Sequence, residues 1–415
     1  MGLRLCHRPE ATVSPERMFA VAWIFFTVAA GLGFLLRWQV IWPLPGIDYG
    51  NVLHAHSHVA FLGWVFNAFF ALAVRLFVPS GHERKYAVLF VVTQAAVIGM
   101  LIAFPLQGYA RESIVFSTAH MVCAAVFIIW LLRENEASPT IRLYLWAAGI
   151  FLLISSLGPL ALGPLMVAGM RASPWYDFAV AYYLHFQYNG WFLLFLMAAV
   201  LQAMGRQGGR AFEAPARRAS GWLVAGCVLT LAVSALPMRP PAWVFVAAAL
   251  GAVAQCVGCY QFVRAVCGPE RLFQGRGERL LAWLASLALA AFLLRTLLLA
   301  LAAWPGLIGL VTNHFTIIVF MHLVFLGTVV PMLIAFAIYF GWIRNHAACW
   351  AGLTLLAAGA LASQATLAYL PLAGWFGWPS FPHFPKTQLI AAGAMLAGVL
   401  LMVPGLRRAA KPPRP

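Results

Sequence analysis

Eleven histidines occur in a chain of 415 residues that is 63% apolar and 9% charged. His7, His82, His346 and His383 lie in polar tails or loops, whereas His54, His56, His58, His120, His185, His314 and His322 fall within long apolar runs. Imidazole suits such a place because it binds metal while neutral, so the chain can carry it into an apolar medium without burying a charge. Histidines on opposed helices can hold a haem iron axially, and haem is itself a flat apolar body that Phe, Trp and Leu can pack. The chemistry to look for is therefore metal or haem ligation inside a hydrophobic protein.

The elements that must position these side chains follow from composition. An ordinary soluble domain is about 25% charged, and here apolar runs of twenty residues recur from Met18 to Gly405 with no room for a folded aqueous domain between them. The runs are apolar on all sides and end in charged punctuation, which excludes a transmembrane barrel with its alternating strands. Twelve helical spans are expected, starting near Met18, Asn51, Tyr86, Ser113, Ile141, Asp177, Ser220, Trp243, Arg279, Asn313, Ala348 and Thr387. The fold class is thus an all-α integral membrane protein with residues 1–415 as one polytopic domain.

The formal charge of +16, from 27 Lys and Arg against 11 Asp and Glu, does not indicate a nucleic-acid partner, because the basic residues sit in short loops rather than on an aromatic-lined face. Sorted by loop, 21 fall at the N-terminus, the even loops and the C-terminus, 5 fall in the odd loops, and Arg295 lies inside the ninth span. The positive-inside rule then places both termini in the cytoplasm, and a bacterial inner membrane is the expected location. Trp38, Trp42, Trp175, Trp304, Trp375 and Trp378 gather at the outer boundary as an aromatic belt. The seven cysteines resemble no disulfide framework, and Cys256-x-x-Cys259 is followed by Tyr260 where a covalent haem motif needs His.

All seven buried-type histidines lie on even-numbered spans, which enter from the outer side. His58, His120, His185 and His322 come seven to nine residues after their spans begin, roughly 10 to 14 Å deep at 1.5 Å per residue. Four helices thus present imidazole in one layer. His58, His185 and His322 each open an H-x4-G pattern, with Gly63, Gly190 and Gly327, at separations of 127 and 137 residues. An internal repeat of three four-helix units follows, over about 18–135, 141–265 and 279–405. The glycines would suit a close approach by either a helix or a porphyrin. His54 and His58 share a helix face, while His56 points about 200° away and serves a different neighbour. Arg295 is read as the counter-ion of a haem propionate or substrate anion, or as a side chain that snorkels or bonds carbonyls.

Twelve spans, three four-helix units and inward histidines on the second, sixth and tenth helices resemble the large subunit of the haem-copper oxidase superfamily. The stretch Leu53-His-Ala-His-Ser-His-Val-Ala-Phe-Leu-Gly63 is similar to segments of its nitric oxide reductase branch and of NnrS-type haem-copper membrane proteins. The resemblance implies that His58 or His54, with His322, holds a b-type haem and that His185 is the sixth-helix ligand of a second metal, copper or non-haem iron. His56, His120 and His314 are the remaining metal candidates, and Gln187, Tyr188 and Asn189 would hydrogen-bond around the ligands. Several residues depart from the family pattern: the seventh span has no His, the tenth has no HxH, Asn189 stands where related reductases carry Glu, and no span core holds Asp or Glu.

The leading expectation is a haem-binding membrane protein that handles electrons or a diatomic gas such as nitric oxide or oxygen, supplied by a cytochrome or by quinol. A transporter or metal permease with a His-lined pathway remains open, as does a non-catalytic assembly or stress-response membrane protein. The oligomeric state is not set by the sequence.

Overall fold

The computed structural model of the chain describes residues 13–205, 211–267 and 278–406; Cys6, His7 and several of the basic loop residues lie outside them. Twelve helices long and apolar enough to cross a membrane occur among the described residues: Pro15–Ile41, Tyr49–Leu76, Glu83–Gln107, Arg111–Glu134, Pro139–Val167, Pro174–Gly205, Glu213–Met238, Ala242–Val266, Arg279–Ala302, His314–Tyr339, Ala347–Phe376 and Phe384–Gly405. The all-α, twelve-span architecture is as the sequence indicates. Most helices begin a little before their hydropathy does, because the first turn is polar and capped. Ser14, Asp48 and Ser138 accept hydrogen bonds from the backbone N–H groups of Arg17, Asn51 and Ile141, satisfying donors that have no partner within the helix. The largest difference is in the seventh span, which starts at Glu213 and carries Arg217 and Arg218 in its opening turns, a basic stretch that hides the helix from a hydropathy reading.

The chain forms two compact units, Met1–Glu136 with Met402–Pro415, and Ala137–Leu401. In the first unit Phe25 and Ala29 of the first span, Ala55 and Val59 of the second, and Val97, Met100 and Phe104 of the third form one buried cluster. In the second unit the seventh and eighth spans approach through small residues: a Cβ added at Gly251 would lie 2.7 Å from the Thr230 nitrogen, and at Gly258 2.9 Å from that of Leu223. Such contacts let backbones close on one another where lipid supplies no hydrophobic driving force.

Spans two, six and ten share a feature that hydropathy does not reveal. Each is interrupted by seven residues of π-helix, Val59–Val65, Phe186–Phe192 and Leu323–Val329. Each π segment starts on the residue after the histidine of the H-x4-G pattern and has its glycine fifth. That glycine faces the preceding span in all three cases. An added Cβ would lie 3.0 Å from the Phe25 ring at Gly63, 2.6 Å from Phe151 Cβ at Gly190, and 2.7 Å from Ala291 Cβ at Gly327. Helix packing, rather than a porphyrin, accounts for the glycines.

The π segment also divides each helix by burial. After it, every residue of 66–74, 193–201 and 330–338 is buried. Before it, only Val52 and Ala55 are buried in Tyr49–His58, only Ala179 and His185 in Pro174–His185, and none in His314–His322. The three histidines stand at the boundary between a loosely covered half and a close-packed half.

Candidate functional site

In the first unit the second span presents two histidine faces. His58 Nδ1 lies 2.9 Å from the His54 carbonyl. A carbonyl only accepts, so Nδ1 carries the proton and Nε2 keeps its lone pair. The His58 ring is half-buried and packs 4.1 Å from that of the buried Phe104, with Tyr109 at 5.9 Å; His54 stands edge-on to Tyr109 at 4.6 Å. His54 and His58 are therefore together, walled by two aromatic rings that apolar pattern alone did not single out.

His56 points to the opposite side, as its position on the helix requires. Its Nδ1 donates to the Ala29 carbonyl of the first span over 2.9 Å, and Gly33 provides the room, since a Cβ there would lie 3.1 Å from the imidazole. His56 is a clamp between the first two spans. His120, on the fourth span, is buried against the Phe66 ring at 4.8 Å, with the backbone of Leu62 beside it. The Phe66 N–H reaches back to the Phe61 carbonyl, so Leu62 loses its ordinary donor at that turn, which is the usual result of a π insertion. Ser117, a possible partner for His120 by spacing, instead donates to the Ser113 carbonyl.

In the second unit His185 is the centre of a buried polar chain. Its Nε2 lies 2.8 Å from the Cys227 carbonyl on the seventh span, so that nitrogen carries the proton. Its Nδ1 accepts from Asn189 Nδ2 at 3.1 Å. The other end of the Asn189 amide accepts from Arg295 on the ninth span, and Arg295 Nη1 donates to Gln255 Oε1 on the eighth over 3.0 Å. Gln255 in turn donates to the Leu223 carbonyl at 3.1 Å. Arg295 is 1% exposed: it does not snorkel to the surface, and among the described residues it meets no carboxylate, its acceptors being two neutral amides. Gln255 was not a candidate by sequence; the available signal was an amide, one of two with Gln261, in an apolar span.

The remaining candidates serve separate places. Gln187 donates to Ser155 of the fifth span at 2.9 Å. Tyr188 is buried with its ring 6.2 Å from Phe320 and 6.5 Å from Phe325 of the tenth span. His322 is half-buried at the start of the third π segment, and His314, expected within the span, is exposed at its first turn. Cys259 is buried and Cys256 exposed, both as free thiols.

The two implied cofactors fare differently against these donors. His58 fits an axial haem ligand: its Nδ1–H is fixed by a carbonyl, which sets the tautomer and leaves Nε2 for iron. A second metal does not fit at His185, where both ring nitrogens are engaged and a guanidinium stands behind Asn189. No group of three or more His, Cys, Asp or Glu placed to share a metal ion occurs among the described residues.

No protein-family model matches the chain, and no curated protein matches it in sequence. Its fold does have a solved counterpart. A haem-copper terminal oxidase determined as a dimer by cryo-EM superposes with a TM-score of 0.68, over 94% of this chain and 83% of its own, at 12% sequence identity. The chain therefore has a haem-copper-oxidase-like fold.

Proposed function

We propose that the protein is a haem-binding membrane redox protein that passes electrons or handles a diatomic gas such as nitric oxide or oxygen. The observation that carries this reading is His58, whose protonated Nδ1 is held at 2.9 Å by the His54 carbonyl, beside Phe104 and Tyr109, in a chain with the oxidase-like fold. His322, which occupies the same register before a π segment, is the second candidate ligand, and His54 the alternate on its helix. A bound b-type haem would supply an iron centre for electron transfer or gas binding. The chain's own part is to fix the imidazole tautomer, to wall the ligand with aromatic rings and to exclude water through the close-packed half of each π-interrupted helix. With no covalent haem motif in the chain, electrons would come from a separate cytochrome or from quinol, and with no carboxylate in the span cores proton pumping through buried acids is not part of the reading.

The test is a reduced-minus-oxidised absorption spectrum of the purified protein. A Soret band that moves on reduction with dithionite, is lost or shifted in His58→Ala and in His322→Ala, and persists in His56→Ala is the expected result. Absence of any chromophore in protein expressed with adequate haem would sink the proposal, and His58-dependent metal uptake without a chromophore would favour a permease.

A further inference from the structure

We propose that the polar centre around His185 is a metal-free site in which the Arg295 guanidinium is the resident cation, taking the electrostatic place of a second metal. The inference uses the oxidase-like reading only as the reason to expect a second metal there; its own support is the bonding of the side chains.

A metal ligand needs a lone pair aimed at the ion. His185 has none to offer, because Nε2–H donates to the Cys227 carbonyl and the Nδ1 lone pair accepts from Asn189. The Asn189 amide can present only one orientation to these neighbours. Its oxygen must face Arg295, which only donates, and its NH2 must face Nδ1, which then only accepts. The guanidinium thus fixes the amide, the amide fixes the His185 tautomer, and that tautomer turns its proton toward the seventh span. Cys227, whose Sγ is 3.9 Å from His185 Nε2, offers one soft donor but no second or third, since the seventh span carries no His. A metal cation at His185 would have to displace two hydrogen bonds and settle beside a buried positive charge that no carboxylate among the described residues neutralises. Desolvation makes that repulsion far larger than in water. Asn189 is on this account a positioning residue, and Gln255 holds the far side of the same cation.

Two measurements on the full-length protein test this. In the first, wild type and His185→Ala are incubated with cuprous ion, desalted and analysed for copper by mass spectrometry. Equal copper in both is expected; one copper per chain in wild type that is lost in His185→Ala overturns the inference. That outcome leaves the haem reading intact, and a missing Soret band leaves this one intact. The second is Asn189→Asp, which keeps the size and sets a carboxylate against the guanidinium. A melting temperature at or above that of wild type is expected if Arg295 is a charged and otherwise uncompensated group, and a fall below wild type overturns it.

Discussion

The most unusual single residue is Arg295, a fully buried cation whose acceptors are Asn189 and Gln255. A charge held only by neutral amides depends on each of them, so the acceptors should matter more than the charge. Removing one partner of a buried charge typically costs about 3 to 5 kcal/mol, whereas removing the charge itself also removes its desolvation penalty. Asn189→Leu is therefore expected to lower the melting temperature more than Arg295→Met does, a ranking that a detergent thermal-shift comparison reads directly. The reverse ranking would mean the guanidinium gains more from its surroundings than two amides account for. His56 and His58 make a second contrast. His56→Ala removes an interhelical bond to Ala29 and should cost stability, of the order of 0.5 to 1.5 kcal/mol for one hydrogen bond lost, without altering a haem spectrum. His58→Ala should do the opposite. Sequence spacing already separated these two faces, because they follow from a rotation of 100° per residue; the Asn189–Arg295–Gln255 chain was illegible, because its members lie on three helices far apart in sequence.

At the scale of elements, the defining device is a π segment placed after a histidine in three helices. The H-x4-G pattern marked the residue before it and the fifth residue within it, but one extra residue in a turn changes neither hydropathy nor composition, so the segment itself left no readable trace. Its consequences are physical. A π turn is one residue longer than an α turn and re-phases everything beyond it, and the glycine within it sits where the neighbouring span leaves no volume. Gly190→Ala places its Cβ 2.6 Å from that of Phe151, and overpacking of this kind costs about 1 to 3 kcal/mol. Gly327→Ala meets the Cβ of Ala291 at 2.7 Å, the whole side chain of that residue, so the double substitution Gly327→Ala with Ala291→Gly should recover most of the lost stability. Failure of that rescue would show that Gly327 is needed for the π geometry itself. Deleting one residue from 59–62 should let the second span run on as a regular α-helix. The close-packed Phe66–Val74 keeps its phase only if the half bearing His54 and His58 turns instead. Loss of the His58-dependent spectrum with retained membrane insertion is the expected pair of results.

For the whole molecule the informative quantity is the distribution of its positive charge and its tryptophans along the spans. Basic residues favour one set of connections by 21 to 5, and Trp38, Trp42, Trp175, Trp304, Trp375 and Trp378, all exposed, lie near the ends associated with the basic-poor connections. The structure adds a second set. Trp146, Trp222, Trp283 and Trp350 are also exposed and fall within the first ten residues of the fifth, seventh, ninth and eleventh spans, the ends that meet the basic-rich connections. Indole rings favour both membrane–water boundaries, so the two sets together bracket the apolar cores independently of the charge count. The sequence reading recovered one belt because it looked where charge was scarce; the other was obscured by the arginines beside it. Orientation follows from the charges, not from the belts, and gives a definite expectation. A green fluorescent protein fused after Leu406 should fluoresce, an alkaline phosphatase fused there should be inactive, and the phosphatase inserted at Gly46, between the first two spans, should be active. The opposite pattern would put the loosely covered halves of the second, sixth and tenth spans, with His58 and His322 at their ends, toward the cytoplasm. A soluble periplasmic cytochrome would then be excluded as the electron donor on geometry alone, while quinol, which reaches its site from within the bilayer, would remain.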